Sequence, residues 1–257
     1  MAPTLSRITI YPIKSLDGIA LESTDVLPSG ALRNDRRFAL VDADGRFVNG
    51  KRTAAVHSIR ATYDLDSLSV RFNDAQEFSL QEERDEIGQY LSPLLEVTCR
   101  LIENSDAGFP DDTTAPGPTI ISTATLREVA AWFPNLELEE SRRRFRANLE
   151  IDGVEPLWED RLFGPAEVPV PFSLGRVRWL GINPCQRCVV PSRDSLDGSA
   201  IAGFQKSFAR RREEQLPRWA TRDRFNHFYR LAVNTQLAAG QSAGRLSTGD
   251  LLSIAQA

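Results

Sequence analysis

The segment Asn183-Pro184-Cys185-Gln186-Arg187-Cys188 sets two thiols three residues apart, with an arginine directly before the second. Three chemistries use such a pair. A structural zinc site needs four cysteine or histidine ligands, and the rest of the chain offers only Cys99, His57 and His227, none paired at ligand spacing. A dithiol redox couple normally opens a helix within a βαβ unit. Here Val189-Val190-Pro191 follows the pair, and no βαβ pattern surrounds it. The third chemistry is a single thiolate acting as metal ligand or nucleophile, with the other cysteine packed as a small side chain. Arg187 beside Cys188 favours a thiolate through its charge, and soft thiolates suit metals bound through sulfur, molybdenum among them. Two buried cysteines without chemistry are the plain alternative. Spacing alone does not choose between these last two.

The chain that must position these groups has 257 residues, 41% of them hydrophobic and 26% charged, which is ordinary globular usage with enough length for one large or two modest cores. A formal net charge of -4 argues against a dedicated nucleic-acid binder. The longest apolar runs fall far short of the roughly 18–20 residues that cross a bilayer. Met1-Ala2-Pro3-Thr4-Leu5-Ser6-Arg7 has no basic head leading into an apolar stretch. The expectation is a cytoplasmic protein that binds neither membrane nor nucleic acid. Three cysteines make no disulfide framework for this size. Only Lys14, Lys51 and Lys206 of the 31 basic residues are lysines, so a lysine inside a motif carries a little more weight than usual.

Read along the chain, the first hundred residues predict strands and turns. Segment 7–13 alternates and is rich in β-branched residues, 20–26 and 37–41 are further strand candidates, Asp44-Gly45 marks a hairpin, and 58–65 pairs with 68–72 around Asp66-Ser67. The spacing of Ile87, Tyr90, Leu91, Leu94 and Leu95 predicts a helix within 81–95, interrupted by Pro93. Residues 104–118 read as a loop and mark the best domain boundary. A short strand at 119–122 and a helix over 125–133 follow, the helix opened by a capping box of Thr125 and Glu128. Later strands are predicted at 145–151, 177–180, 229–233 and 251–254, and a charged helix at 206–215 with Arg210-Arg211-Arg212-Glu213-Glu214 on a solvated face. The fold class is therefore mainly β with a few helices (α+β).

Several segments together resemble one family. Pro184-Cys185-Gln186-Arg187-Cys188-Val189-Val190-Pro191-Ser192-Arg193-Asp194 is similar to the cysteine signature of the MOSC domain family, which includes the mitochondrial amidoxime-reducing components and bacterial relatives. Ile10-Tyr11-Pro12-Ile13-Lys14-Ser15-Leu16-Asp17-Gly18 resembles the opening of the β-barrel domain that accompanies it, and Asn34-Asp35-Arg36-Arg37-Phe38-Ala39-Leu40-Val41-Asp42 that domain's second landmark. Phe145-Arg146-Ala147-Asn148-Leu149 is similar to the family's Phe-Arg-Pro-Asn strand with alanine for proline, and 244–252 to its closing turn.

The resemblance implies an N-terminal β-barrel-like domain over residues 1–115 packed on a MOSC β-barrel domain over 116–257. It implies a molybdenum cofactor of the molybdopterin type, with Cys188 as the protein ligand to the metal and catalytic residue and Cys185 structural. Lys14, Ser15, Arg36, Arg146 and Asn148 match the residues that hold the cofactor's phosphate and pterin, and Arg187 joins them as a candidate. The family's Thr-Ser pair has only Thr113 and Thr114 as counterparts, displaced by Ala115-Pro116-Gly117, which makes Thr114 the remaining candidate. Two further departures stand out: a Pro-rich stretch at 164–173, and Ser195-Leu196-Asp197-Gly198 where the family has Pro-Asp-Thr-Gly. The implied activity is reduction of a small N-hydroxylated substrate. A ferredoxin's cysteine cluster is missing from the sequence, so electrons are expected from a separate donor, a ferredoxin or a flavoprotein reductase. The alternative function is sulfur carriage, with a persulfide on Cys188 delivered for metal–sulfur cofactor assembly.

Overall fold

In the computed structural model, which describes residues 2–241 and 243–255, the N-terminal half supplies strands β1 (Thr4–Ile10), β2 (Ile19–Leu21), β3 (Ser23–Val26), β4 (Phe38–Asp42), β5 (Ala61–Asp64), β6 (Ser69–Phe72) and β7 (Glu77–Ser79), then helix α1 (Arg84–Leu95) and β8 (Cys99–Glu103). The C-terminal half supplies β9 (Ile120–Ser122), α2 (Thr123–Ala131), α3 (Leu138–Phe145), β10 (Leu149–Asp152), β11 (Val170–Leu174), β12 (Val177–Gln186), α4 (Phe204–Glu214), β13 (Arg230–Leu237), β14 (Gly244–Ser247) and β15 (Leu252–Ile254). The expected α+β class is what is found, with four α-helices among the described residues and β structure dominant.

The largest sheet runs in the order β15-β11-β12-β13-β9-β10-β1-β2. Its first strand in sequence pairs antiparallel with β10 and with β2, so Leu5 faces Ile151 and Ile8 faces both Leu149 and Leu21. Strand β3 likewise pairs with β14. Ladders therefore join segments from both ends of the chain. The alternation expected of a half-buried strand divides two cores between the faces of this sheet. Ile120, Leu149, Val233 and Trp179 point into one apolar cluster, while Ile121 and Leu231 pack with α2 and α4 residues on the other side. A third cluster belongs to residues 13–101 alone, with Phe38, Phe72, Ile87 and Leu91 at its centre.

Several elements differ from the sequence reading, each for a local reason. Helix α2 is capped by Ser122, whose hydroxyl accepts from Thr125 N at 3.0 Å, rather than by Thr125. Thr125 turns inward instead and donates to Glu159 at 2.9 Å. The predicted strand over 145–151 begins only at Leu149, because Phe145 ends α3 and Arg146 takes a left-handed backbone, φ 52°. Strands β7, β8, β11 and β14 are pieces of three to five residues that the sequence reading does not contain. Arg212 leaves the solvated face predicted for it: its side chain is 1% exposed and holds both oxygens of buried Asp160 at 2.7 and 2.6 Å.

Glu159, beside that pair, is 1% exposed. Burial and the neighbouring Asp160 push its carboxyl up to about 7. A folded-state value above the unfolded one means stability that is present at low pH and lost as pH rises through about 7. Glu159→Gln should remove this loss. Urea unfolding at pH 5.5 and pH 8.5 checks it: the wild type should lose about 2 kcal/mol more than the variant across that interval, and equal losses would contradict the assignment.

Candidate functional site

Strand β12 carries the cysteine pair to its place. Its pairing with β13 shifts register between Gly181 and Asn183, and again between Pro184 and Gln186. Two constraints cause this. Gly181 lies so near Leu162 that a Cβ would sit 1.7 Å from that residue's carbonyl oxygen, and Pro184 has no N–H for the ladder. On the facing strand Ala232 takes a φ of 67°, a conformation that costs a non-glycine residue roughly 1–2 kcal/mol. Such irregularities re-aim side chains at the end of a strand, and here Cys185, Arg187 and Cys188 all line one cavity of about 660 Å³.

The cavity draws on both halves of the chain. Among the described residues its lining includes twelve arginines and lysines against six carboxylates, in a chain whose formal charge is -4. Lys14, Ser15, Arg36, Arg146, Asn148, Arg187 and Cys188 all belong to the lining. Thr114 does not; its hydroxyl donates to Asp112 at 2.7 Å, closing a turn in the 104–118 loop. That loop instead contributes Asp111, Asp112 and Thr113 to the wall.

Three of the sequence-predicted residues hold left-handed backbones, Ser15 at φ 75°, Arg36 at 50° and Arg146 at 52°. Strain of this kind persists only where surrounding contacts over-determine it. The contacts are visible. Arg146 stacks its guanidinium 4.0 Å from the centre of the Tyr11 ring and donates to Leu16 O at 2.7 Å. Arg36 lies 5.3 Å from the centre of the same ring, pairs with Asp35, and donates to Asn148 Oδ1 at 3.3 Å. Lys14 is 7% exposed; it donates to Phe109 O at 2.7 Å and meets Asp111 at 2.9 Å. Burial pushes the Lys14 ammonium below its ordinary value, with Asp111 opposing. Burial likewise raises Asp111, but Lys14, Arg36 and Lys51 outweigh it and hold that carboxylate below its usual range.

Asn148 is 2% exposed and its amide is largely used inside the fold. Its Nδ2 donates to Thr9 O at 3.1 Å, and its Oδ1 accepts from Thr119 N at 3.2 Å as well as from Arg36. It joins β1, the entry to β9 and Arg36, so it acts on the cavity by positioning another side chain.

The two thiols differ in their surroundings. Both are half-buried and free. Arg187, expected to charge-assist Cys188, donates instead to Cys185 Sγ at 3.2 Å and to Phe145 O, and its Nε is buried without a partner. The backbone turn after β12 directs the Arg187 side chain back along the strand, which sequence adjacency does not reveal. The Cys188 thiol makes no hydrogen bond to the described residues and faces the cavity. Sequence reasoning missed His57, Arg60, Arg142, Arg143 and Arg193 as lining residues. Arg193 stands within the quoted cysteine signature, but the others carry no motif, and only folding brings residues 57–60 to the turn after Cys188.

Such a wall can hold an anionic ligand of substantial size while presenting one free thiol to it. Comparison with known proteins identifies the family. The profile of the MOSC N-terminal beta barrel domain matches residues 2–136, and that of the MOSC domain residues 119–250. Molybdenum cofactor sulfurase 2 of Culex quinquefasciatus is 24% identical over 81% of this chain and 32% of its own length. Molybdenum cofactor sulfurase of Drosophila willistoni is 26% identical over 73% and 27%. Mitochondrial amidoxime reducing component 2 of Bos taurus is 23% identical over 74% and 66%. The chain thus spans about a third of the length of the sulfurases it matches. Among solved structures, the YuaD protein of Bacillus subtilis aligns over 98% of this chain and 94% of its own, at a TM-score of 0.43 and 11% identity.

Asn148→Ala should destabilise the fold by about 1–2 kcal/mol, since it removes the partner of two half-buried backbone groups, Thr119 N and Thr9 O. Chemical denaturation measures this, and an unchanged midpoint would show that the amide is no strut.

Proposed function

The chain belongs to the MOSC domain family, with the N-terminal beta barrel domain before the MOSC domain, and on that premise we propose that it is a molybdenum-cofactor oxidoreductase which reduces N-hydroxylated compounds with electrons from a separate redox partner. The observation that carries this reading is the single cavity in which Cys188 shares a wall with twelve cationic side chains.

The residues fit such a cofactor. Its phosphate is a multivalent anion, and Lys14, Ser15, Arg36 and Arg146 offer the charge and donors that recognise one. The unpartnered Nε of Arg187 is a further donor in the same wall. A soft thiolate at Cys188 would hold the metal, with Cys185 occupied by Arg187. Asn148 would act as a positioning residue through Arg36, and Thr114 has no part in this assignment. When bound, the cofactor supplies the two-electron redox chemistry that cleaves an N–O bond. The protein's own share is to bind and orient. Its fixed cations line one recess, and those that are buried there, Lys14 among them, count for more than they would in water. Each turnover takes up two electrons and two protons and releases an amine or amidine and one water; the electrons are assigned to a ferredoxin or flavoprotein reductase.

A second reading, sulfur carriage through a Cys188 persulfide, is supported by the likeness to molybdenum cofactor sulfurases. A carrier of one sulfur atom has little use for so large a cationic recess, which favours the reductase.

Protein from a host that makes the cofactor should contain molybdenum and reduce an aryl amidoxime with an artificial electron donor. Cys188→Ser should lower that rate at least about 100-fold, the scale for losing a group essential to the chemistry, while Cys185→Ser should keep most of it. Loaded protein with intact Cys188 and no reduction would defeat the proposal, and a mass increase of one sulfur on Cys188 in metal-free protein would favour carriage.

A further inference from the structure

The turn that departs from the family's Pro-Asp-Thr-Gly sequence lies against residues 54–60 in the cavity wall. Arg60 Nη2 donates to Ser195 O at 3.1 Å and to His57 O. Arg193 Nη1 closes the turn on Gly198 O at 3.1 Å. His57 is clamped between two glycines: a Cβ on Gly50 would lie 2.7 Å from its Nε2, and one on Gly198 3.2 Å from its Cδ2. Ring, turn and both arginines are thus fixed together by backbone contacts.

The charges gathered here are poorly balanced. Burial first, then Arg193, Arg146 and Arg60, push the His57 ring below its ordinary pKa, with the Gly50 backbone opposing; three guanidiniums therefore face one imidazole. Asp17 lies 3.4 Å from Arg60, while other carboxylates at the turn are taken elsewhere: Glu140 accepts from Ser195 and pairs with Arg143 and Arg144, and Asp194 pairs with Arg144. Arg193 and Arg146 are held by the carbonyls of Gly198 and Leu16, which orient a cation without cancelling its charge. The Nε atoms of Arg60 and Arg193 are buried without a hydrogen-bond partner, a costly state that asks for an acceptor. All four side chains line the cavity.

We propose that Arg193, Arg60 and His57, bordered by Arg146, form an anion subsite in the cavity wall that takes a carboxylate on the substrate, so that the enzyme favours N-hydroxylated compounds carrying one over neutral ones. The inference rests on the reductase reading and narrows its substrate class. Guanidinium forks match carboxylate geometry, and the subsite shares only its border residue, Arg146, with the set assigned to the cofactor, Lys14, Ser15, Arg36 and Arg146.

The test compares a neutral aryl amidoxime with its carboxylate derivative on cofactor-loaded protein. The carboxylate should be favoured roughly tenfold in kcat/KM, mainly through KM. Arg193→Met should collapse that ratio toward one with molybdenum content retained, and Arg193→Lys should restore part of it. Equal kcat/KM for the two substrates in the wild type would overturn the proposal. So would loss of molybdenum in Arg193→Met, which would mean that the cluster holds the cofactor itself. Calorimetry with the corresponding amidines, which are not reduced, keeps the two readings apart. If neither amidoxime is reduced, the reductase reading fails, while tighter binding of the carboxylated amidine still supports the subsite and equal binding still overturns it.

Discussion

Twelve cationic side chains around one recess repel one another, and the fold must restrain them at the distances the site requires. In a medium of reduced dielectric such repulsion amounts to several kcal/mol unless nearby acceptors offset it. The chain meets this with two kinds of partner. Carboxylates compensate some cations outright: Glu150 takes Arg142 through two bonds of 2.8 Å, and Asp111 takes Lys14. Backbone carbonyls and the Tyr11 ring hold others, Arg146, Arg187 and Arg193 among them, and leave their charge available. The surplus of positive charge is thus concentrated where a ligand can use it.

Local backbone geometry follows from the same requirement. Ser15 and Arg36 adopt left-handed conformations in the turns before β2 and β4, and Arg146 does so at the C-terminal cap of α3; all three line the cavity. The cysteine pair reaches the same wall where the register shifts around Pro184. Regular strands and helices would carry these side chains past the site. The ladders that join β1 to β10 and β3 to β14 tie the two halves of the chain together.

Much of this was legible in the sequence, and for identifiable reasons. The cysteine pair, Lys14, Arg36 and Arg146 sit in local motifs, and they reach the same cavity. The long loop 104–118 is visible from its prolines and glycines, and its Asp111 and Asp112 line the wall. What stayed hidden depends on tertiary geometry. Arg187 is adjacent to Cys188 in sequence but bonds Cys185, because the turn after β12 sends its side chain back. Arg212 reads as one of a solvated run until Asp160 is found beneath it. Thr114 has the right type near the right place, but the turn closed by Asp112 keeps it off the cavity. His57 and Arg60 carry no signal of their own, since their meeting with Arg193 spans more than 130 residues of chain.

The central claim is that Cys188 supplies the protein sulfur to a molybdenum held in this recess. X-ray absorption at the molybdenum edge tests it most directly, on purified loaded wild type beside Cys188→Ser and Cys185→Ser. The account predicts one fewer sulfur neighbour at the metal in Cys188→Ser and an unchanged sulfur shell in Cys185→Ser. An unchanged shell in Cys188→Ser, or the loss of a sulfur in Cys185→Ser, would contradict it.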